Sequence, residues 1–527
     1  MRDTAILGRV MLAFEGESLP DRIAARLAAA PAAGMTLFRH HNVRSAAQVQ
    51  ELTAAFQRAT ADTVLTPMLV AADQEGGQFL ALGDGPTAFA GNMALGAVAD
   101  PSLTERVGRA IGLEARAMGV NVVYAPVLDL ATNPANPSLG IRSFGDDPVA
   151  VAAHGLAFIR GLQSAGVAAT VKHAPGKGHV AADTHHGLAG VAAPRTVLEA
   201  REFVPFRAAF RADDPLARPR LAMSGHVALP AITGRPDVPA TLSRGVMTDL
   251  LRDELGFTGV TISDALDMRA IAQDDGQGAA VVEAVRAGVD LLLAATDPAA
   301  LSRIEAALVE GVAGGAFDPA ELAATDRRVA ALRTWLRAAG PAPSLDVVGC
   351  DDHLDLAQEL ARRSITLVRD PGGRLPLLPA SGMRIIAIMP APADLTPADT
   401  SSLVAPGLAV ALRQVYPEVD EVVVGQAPDA GEIAAVRERV READAVVIGT
   451  IDGHRQPAQV RLVQAVADVV GPGVPLIAVA LRGPWDVAAY PAGVTALATY
   501  SILPGPLGAL ADVLAGRLVP RGRSPVT

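Results

Sequence analysis

Val167-Ala-Ala-Thr-Val171 is a short apolar run that leads directly into Lys172-His173, two side chains able to do chemistry. The same pattern recurs in the first part of the chain, where apolar runs end at Asp73, Asp129, His226 and Asp264. In a parallel barrel the carboxyl ends of the strands open on one mouth, where active sites lie. The repeated endings therefore predict a polar pocket built by several strands. The alternative for any one of these residues is a helix cap or turn.

Eight apolar runs alternate with amphipathic stretches through this region. The candidate strands are Ile6–Ala13, Gly34–Phe38, Met68–Ala72, Val120–Val127, Val167–Val171, Leu221–Ser224, Gly259–Ser263 and Val289–Leu293. Helical segments between them include Leu103–Met118, Pro148–Ala165 and Arg244–Leu255. Alternation of strands and helices indicates a parallel sheet, and eight strands favour a (β/α)8 TIM-type barrel over an open sheet. We predict this barrel as a catalytic domain over residues 1–340.

A second, smaller domain is predicted after a break in composition. Ala338-Ala-Gly-Pro-Ala-Pro-Ser-Leu345 is punctuated by proline and glycine, so residues 341–362 are predicted as a linker. Short buried strands then alternate with helical stretches, which predicts an α/β sandwich over residues 363–527. The strands are Ile365–Arg369, Ile385–Ile388, Glu421–Val424, Ala445–Thr450 and Leu476–Ala480, and the helices are Gly431–Ala443 and Ala458–Val470.

Composition excludes several classes of protein. The net charge is −11 and basic residues are scattered, so we expect no nucleic-acid partner. No run of about 18 uncharged apolar residues occurs, so we expect no membrane insertion. Cys350 is the only cysteine, which rules out an internal disulfide, and the apolar stretch near the amino terminus is cut by Arg9 and Glu15. We therefore expect a cytoplasmic protein. The oligomeric state is not predictable from these features.

The segment Lys172–His186 holds four of the ten histidines, two lysines and Asp183. Its glycines and proline predict a loop. A metal site is disfavoured because no cysteine or His-Glu-x-x-His pair accompanies the histidines, and the lysines repel a cation. A phosphate loop at Gly176-Lys-Gly178 lacks the Walker spacing. In the third interpretation, Asp183 orients His185 for acid/base work. A solvated loop histidine stays open, and we expect neither metal nor cofactor.

The segment Gly259–Met268 supplies a second candidate. A β-branched run ends at Ser263, and Asp264 follows it, so its carboxylate is expected to face the pocket, where it could attack an anomeric carbon. Asp267 is a competitor, but its position three residues later predicts that it faces the following helix. A helix cap remains the alternative for Asp264.

These segments resemble a known family. Lys172–His185 is similar to the signature loop of bacterial β-N-acetylglucosaminidases (β-N-acetylhexosaminidases) of glycoside hydrolase family 3, which reads Lys-His-Phe-Pro-Gly-His-Gly, four residues, then Asp-Ser-His. The other matching motifs follow in the family's order: Ala71-Ala-Asp-Gln-Glu-Gly-Gly77, Ala125-Pro-Val-Leu-Asp129, Asn133-Pro-Ala-Asn-Pro137, Arg142-Ser-Phe-Gly145, Met223-Ser-Gly-His-Val227, Pro239-Ala-Thr-Leu-Ser243 and Ser263-Asp-Ala-Leu266. The region after the barrel is similar to the α/β sandwich of many members.

The resemblance implies a retaining hydrolase that removes terminal β-linked N-acetylglucosamine, from cell-wall (muropeptide-type) fragments or other short glycosides. By this resemblance Asp264 is the nucleophile, His185 the acid/base and Asp183 its partner carboxylate. The residues implied to bind sugar hydroxyls are Asp73, Arg142, Lys172 and His173. Aromatic residues make up only 3% of the chain, which offers no stacking platform for long polysaccharides, so we expect a small carbohydrate substrate.

The chain departs from the family pattern at four positions. It has Lys177 where the family has His, Ala174 where it has Phe, and Gln78 and Ala81 where it has two arginines. Because one charged hydrogen bond is typically worth about 1.5–3 kcal/mol, we expect altered sugar recognition, with Lys177 a candidate replacement cation.

Three alternatives to the hydrolase stay open. One is a β-glycoside phosphorylase, in which phosphate replaces water as the acceptor. Another is a β-glucosidase, although Asp183 and His185 argue against it because β-glucosidases usually take a glutamate from the second domain as acid/base. The third is a catalytically weak sugar-binding protein on the same scaffold.

Overall fold

The structure, a computed structural model, describes residues 3–60, 66–180, 187–271, 276–294, 296–471 and 473–527. Eight short strands run parallel, and each pairs with its neighbours in chain order. They are β1 Val10–Leu12, β2 Gly34–Leu37, β3 Leu69–Ala72, β4 Val122–Val123, β5 Ala168–Ala174, β6 Leu221–Ser224, β7 Val260–Ser263 and β8 Leu292–Leu293. A parallel bridge between Ile262 and Leu291 joins β7 to β8 and closes the ring. The predicted (β/α)8 barrel is confirmed.

Both faces of the barrel strands are buried, as expected of a parallel sheet covered by helices. Leu69 and Ala71 belong to an inner cluster, and Val70 and Ala72 belong to the cluster that the surrounding helices share. The inner cluster also contains Leu332 of the helix Pro319–Ala338. Because Arg333 of the same helix donates to the carbonyl of Ala33, this helix covers the amino-terminal end of the strands. The opposite mouth is left for the pocket.

The helices around the barrel start from a repeated local signal. In four of them an aspartate caps the first turn and a proline occupies its first position, as at Asp147-Pro148 and Asp318-Pro319. The helices are Asp21–Ala29, Arg39–Asn42, Ala46–Arg58, Asn92–Val98, Pro101–Ala117, Pro148–Ser164, Arg195–Ala200, Phe203–Phe210, Pro230–Thr233, the π-helix Gly245–Glu254, Gln277–Ala287, Pro298–Ala313 and Pro319–Ala338. None of the helices in the described ranges is long and apolar enough to cross a membrane.

The predicted strand Ile6–Ala13 is wrong in its first half. Asp3–Arg9 forms a 3₁₀-helix, and only Val10–Leu12 is extended. The apolar side chains of Ile6 and Leu7 are buried in this turn as they would be in a strand. A short apolar run does not distinguish the two conformations.

The segment after the barrel carries a helix, Asp351–Ser364, which begins inside the predicted linker and ends two residues beyond it. The buried carboxylate of Glu114 holds the start of this segment against the barrel. Glu114 accepts hydrogen bonds from the backbone N–H of Thr87 at 2.7 Å and from that of Gly349 at 3.1 Å. His353 Nδ1 lies 2.8 Å from Glu114 Oε1. The segment is therefore fixed to the barrel by buried polar contacts.

A second sheet of six strands follows in the order β9-β14-β13-β12-β10-β11, parallel except for the β9–β14 pair. The strands are β9 Thr366–Arg369, β10 Arg384–Pro390, β11 Glu418–Val424, β12 Ala445–Thr450, β13 Leu476–Ala480 and β14 Thr495–Ala498. The helices are Leu408–Arg413, Ala430–Arg439, Pro457–Ala467, Asp486–Ala489 and Pro504–Leu514. The predicted α/β sandwich is confirmed, whereas β14 was not among the predicted strands.

Candidate active site

A cavity of about 320 Å³ opens at the carboxyl ends of the barrel strands. Five residues that the sequence assigned to a site line this one cavity: Asp73, Arg142, Lys172, His173 and Asp264. Asp183 and His185, the predicted acid/base pair, lie outside the described residues. The repeated strand endings therefore converge on one mouth.

Lys172 joins two carboxylates at the cavity wall. Its ammonium lies 2.5 Å from Asp73 Oδ1 and 2.6 Å from Glu75 Oε1. Burial raises the pKa of Asp73, and the attraction of Lys172 opposes that shift. A pKa raised by burial and opposed by a specific charge partner is common at functional sites.

Arg142 makes a bidentate ion pair with Glu75, at 3.0 Å from Nε and 2.7 Å from Nη2, and stacks over Phe79. Burial alone would raise the pKa of Glu75, but the Arg142 and Lys172 cations outweigh it and lower the pKa to about 2. Glu75 is therefore ionised and holds both cations in place. The sequence alone assigned no role to Glu75. Its position two residues after Asp73 was the available signal, since alternate residues of an extended chain point to the same side.

Asp129 fixes the loop that follows β5. Fully buried, it accepts hydrogen bonds from the N–H of His173 at 3.1 Å and of Lys177 at 2.8 Å, and His173 Nδ1 lies 2.7 Å away. Burial raises the pKa of Asp129, while Lys177 and the two backbone donors oppose the shift. One carboxylate thus sets the position of both His173 and Lys177.

The loop then passes over Glu202. Gly176 has φ +126°, and a side chain there would meet the Glu202 side chain at 3.1 Å, so only glycine fits without strain. Glu202 Oε1 lies 3.3 Å from His179 Nε2 and 3.4 Å from Thr132 Oγ1. Burial, reinforced by the charge of Asp129, raises the pKa of Glu202 to about 8. A neutral carboxylic acid therefore supports the loop at pH 7.

Asp264 follows the last residue of β7 and accepts a hydrogen bond from the N–H of Ala265 at 2.9 Å. His226, flagged in the sequence as a strand ending, is buried behind this segment and lies 3.0 Å from the Ala265 carbonyl and 2.8 Å from Thr241 Oγ1. Burial lowers the pKa of His226, so it acts as a neutral support. Asp267, expected to face the following helix, is exposed and lines the cavity as well.

Some of the positions that depart from the family pattern face the cavity, and others do not. Ala81 and Lys177 line the cavity. Gln78 does not face it, because its Nε2 donates to Asp399 Oδ2 at 3.0 Å, in the second domain. A neighbouring segment of that domain, Thr396-Pro-Ala398, lines the cavity too, so the second domain forms part of the wall.

In the part of the chain that the structure describes, no three His, Cys, Asp or Glu side chains are grouped to hold a metal ion. The cavity contains the Asp264 carboxylate at the end of a strand, and the ion pairs of Lys172 and Arg142 lie in its wall. Such an arrangement can hold several hydroxyl groups while one carboxylate attacks a carbon atom.

Residues 12–332 match the family described as glycosyl hydrolase family 3 N terminal domain. The chain belongs to glycosyl hydrolase family 3. Among solved structures, a family 3 β-N-acetylglucosaminidase from Paenibacillus sp. str. FPU-7 superposes with a TM-score of 0.92 at 33% identity, covering 100% of this chain and 99% of that one.

Two curated relatives match a shorter stretch. "Beta-hexosaminidase A" of Pseudoalteromonas piscicida is 33% identical over 377 residues, which is 67% of this chain and 62% of the relative. "Beta-N-acetylglucosaminidase/beta-glucosidase" of Cellulomonas fimi is 32% identical over 354 residues, 62% of this chain and 60% of the relative. The matches thus span less than two thirds of each relative.

Proposed function

We propose that this family 3 protein is a retaining glycoside hydrolase that removes terminal β-linked N-acetylglucosamine from short glycosides, cell-wall (muropeptide-type) fragments among them. The observation that carries the proposal is the position of Asp264 at the end of β7, in one cavity with Asp73, Arg142, Lys172 and His173. The names of the Paenibacillus and Pseudoalteromonas proteins support the choice of sugar.

In the first step, an Asp264 carboxylate oxygen attacks the anomeric carbon. The bond from that carbon to the leaving oxygen breaks, and the leaving oxygen takes a proton from His185. The product is a glycosyl ester of Asp264 and a neutral imidazole that Asp183 orients. Retaining glycosidases place the two catalytic groups about 5 Å apart, on either side of the bond that breaks.

In the second step, water gives a proton to His185 while its oxygen displaces Asp264 from the anomeric carbon. Two inversions retain the β configuration. An imidazole suits both roles because its unperturbed pKa, about 6.5, lies near the working pH. Asp73, Arg142, Lys172 and His173 hold the sugar hydroxyls, and the fixed charges around Glu75 keep that set in place without reorganising.

The test is hydrolysis of 4-nitrophenyl β-N-acetylglucosaminide by wild type and Asp264→Asn, with Asp267→Asn as the matched control because both aspartates line the cavity three residues apart. We expect kcat to fall by about 10³-fold or more for Asp264→Asn, as for loss of a nucleophile, and far less for Asp267→Asn. Azide should restore turnover in Asp264→Ala and yield the α-glycosyl azide.

Three outcomes would contradict the proposal. An inert wild type that still binds N-acetylglucosamine would make the protein a sugar-binding member of the family. Equal losses in the two asparagine variants would remove Asp264 from the nucleophile role. Release of N-acetylglucosamine 1-phosphate in phosphate buffer, with little free sugar, would make the enzyme a phosphorylase.

A further inference from the structure

Lys177 places an ammonium group in the candidate active site. The residue is 2% exposed and lines the same cavity as Asp264. Of the 45 lysine and arginine residues in the chain, only Lys172 and Lys177 are lysines. Both lysine side chains therefore lie in one pocket. Lysine presents a compact point charge, in contrast to the planar guanidinium of arginine.

The backbone of Lys177 is fixed on both sides. Its N–H donates to Asp129 Oδ1 at 2.8 Å, and its carbonyl accepts a hydrogen bond from Asn136 Nδ2 at 2.9 Å. Both partners are buried. The side chain therefore starts from a rigid point, and its direction into the cavity is built into the loop.

Lys172 and Arg142, the other two buried cations of the cavity wall, have direct partners, whereas Lys177 has none among the described residues. Lys172 pairs with Asp73 and Glu75, and Arg142 pairs with Glu75. Within residues 3–60, 66–180, 187–271 and the later described ranges, the Lys177 ammonium makes no hydrogen bond or ion pair. Burial lowers the pKa of Lys177; Asp264 exerts the strongest attraction on it, and Arg142 repels it. A buried cation without a direct partner is costly, so the cavity favours a ligand that supplies one.

The charge also matters for the proposed reaction, on which this inference rests. Positive charge develops at the anomeric carbon in the transition state, and an ammonium near Asp264 opposes it. A neutral ligand leaves this repulsion in place, whereas an anionic group on the ligand removes it. We propose that Lys177 binds an oxyanion, a carboxylate or a phosphate, beside the carbon that Asp264 attacks, and so makes the site selective for anionic reaction partners.

The kinetic test uses two nitrophenyl β-N-acetylglucosaminides, one neutral and one with a carboxylate on the aromatic ring. Wild type is compared with Lys177→Met, which removes the charge at similar length, and with Lys177→Arg, which keeps it. We expect Lys177→Met to lower kcat/KM for the carboxylate glycoside by about 10- to 100-fold, the range of a hydrogen bond to a charged group, and to raise kcat/KM for the neutral one. Lys177→Arg should keep most of the preference. A change by the same factor for both glycosides would overturn the proposal.

A second measurement follows the amine without turnover. With ¹³C-labelled lysine, the side chains should give two NMR signals, and Lys177→Met assigns them. We expect inorganic phosphate to shift the Lys177 signal saturably and to raise the pH at which it titrates, with a smaller effect on Lys172, which is already paired. A Lys177 signal that responds to neither phosphate nor the carboxylate glycoside would overturn the proposal.

The two experiments also separate the source of the oxyanion and the two proposals. A carboxylate preference without a phosphate effect assigns the anion to the glycoside. A phosphate stimulation of neutral-glycoside turnover that Lys177→Met abolishes assigns it to a free anion. Wild type that hydrolyses neither glycoside contradicts the hydrolase alone, because the NMR titration still decides whether Lys177 binds an anion.

Discussion

Ala81 and Gln78 show how differently two neighbouring positions act at the scale of single residues. Both stand where the family pattern has arginine, but only Ala81 lines the cavity, while Gln78 contacts Asp399. We therefore expect a guanidinium to act on sugar binding at residue 81 and on the contact between domains at residue 78. The cavity wall thus carries an alanine at residue 81 and an ammonium at Lys177.

We predict that Ala81→Arg tightens binding of neutral N-acetylglucosaminides, because a guanidinium at the cavity wall restores a charged hydrogen bond worth about 1.5–3 kcal/mol. The KM for 4-nitrophenyl β-N-acetylglucosaminide should fall about 10- to 100-fold. Gln78→Arg is the matched control and should not lower the KM, since that side chain points to the second domain. An unchanged or higher KM in Ala81→Arg would contradict the prediction.

At the scale of elements, two buried titratable groups hold a loop and a pair of helices of the barrel. Their contributions to folding stability depend on pH in opposite directions. Glu202 lies under the loop after β5. His154 joins the helix Pro148–Ser164 to the helix Pro101–Ala117, with its Nδ1 2.7 Å from Thr104 Oγ1 and its ring stacked on Phe144. Burial lowers the pKa of His154 to about 4.

For Glu202 we predict that stability falls as pH rises. The folded pKa of about 8 lies above the ordinary glutamate pKa of 4.5, so between these values the unfolded chain is ionised and the folded protein still holds a proton. Glu202→Gln removes this cost. Its free energy of unfolding, measured by urea unfolding, should exceed that of wild type by an amount that grows from pH 5 to pH 8, toward a limit on the order of 5 kcal/mol. A difference that does not depend on pH would contradict a neutral Glu202.

For His154 the sign is reversed. Because its folded pKa of about 4 lies below the ordinary histidine pKa of 6.5, the unfolded chain binds more protons between these values, and stability rises with pH across that window. We predict that His154→Gln reduces the loss of stability on acidification by on the order of 3 kcal/mol. Melting curves from pH 4 to pH 7 test this, and equal slopes for wild type and variant would refute it.

At the scale of the whole molecule, a buried ion pair within the second domain lies at its contact with the barrel, beside the cavity. Asp399 accepts from Gln78 and pairs with Arg482 at 3.2 Å, and Thr396-Pro-Ala398 lines the cavity directly before it. Beside Asp399, the N–H and the hydroxyl of Thr400 also donate to the Gln78 carbonyl, so the two domains share several polar contacts next to the site.

We predict that Arg482→Met destabilises the protein by about 3–5 kcal/mol, because it leaves the Asp399 charge buried without its main cation. The double variant Asp399→Asn with Arg482→Met should recover part of this loss, since neither charge then remains. Urea unfolding measures both, and KM should rise in the single variant as the 396–398 wall loosens. A double variant less stable than Arg482→Met would contradict the coupling.

The sequence predicts the barrel well where local pattern and burial agree. Strand β6 was predicted at Leu221–Ser224, as observed, and β7 differs by one residue. The gathering of Asp73 and Asp264 in one cavity follows from strand order, which the alternation of elements already implies. The roles assigned to Asp264, His185 and Asp183, the domain boundaries at residues 340 and 363, and the cytoplasmic location stay predictions.

What sequence reasoning missed depends on contacts between distant segments. The 3₁₀-helix at Asp3–Arg9 buries the apolar side chains of Ile6 and Leu7. A buried strand would have the same apolar composition, so the sequence does not distinguish the two. Glu75 has a role only because Arg142 and Lys172 reach it from other strand ends. Likewise, no feature of the sequence near Thr396 predicts that this residue lines a cavity of the first domain.

Glu114 binds the start of the segment that follows the barrel. This contact limits where the chain can be cut to produce the barrel alone. A gene fragment ending at Gly340 would delete the Gly349 N–H and the His353 ring, and so strip a buried carboxylate of two of its contacts. Such a fragment should be recovered mainly as insoluble material. Ending the fragment after Ser364 would keep those contacts, and this is where an excised barrel has its best prospect of folding.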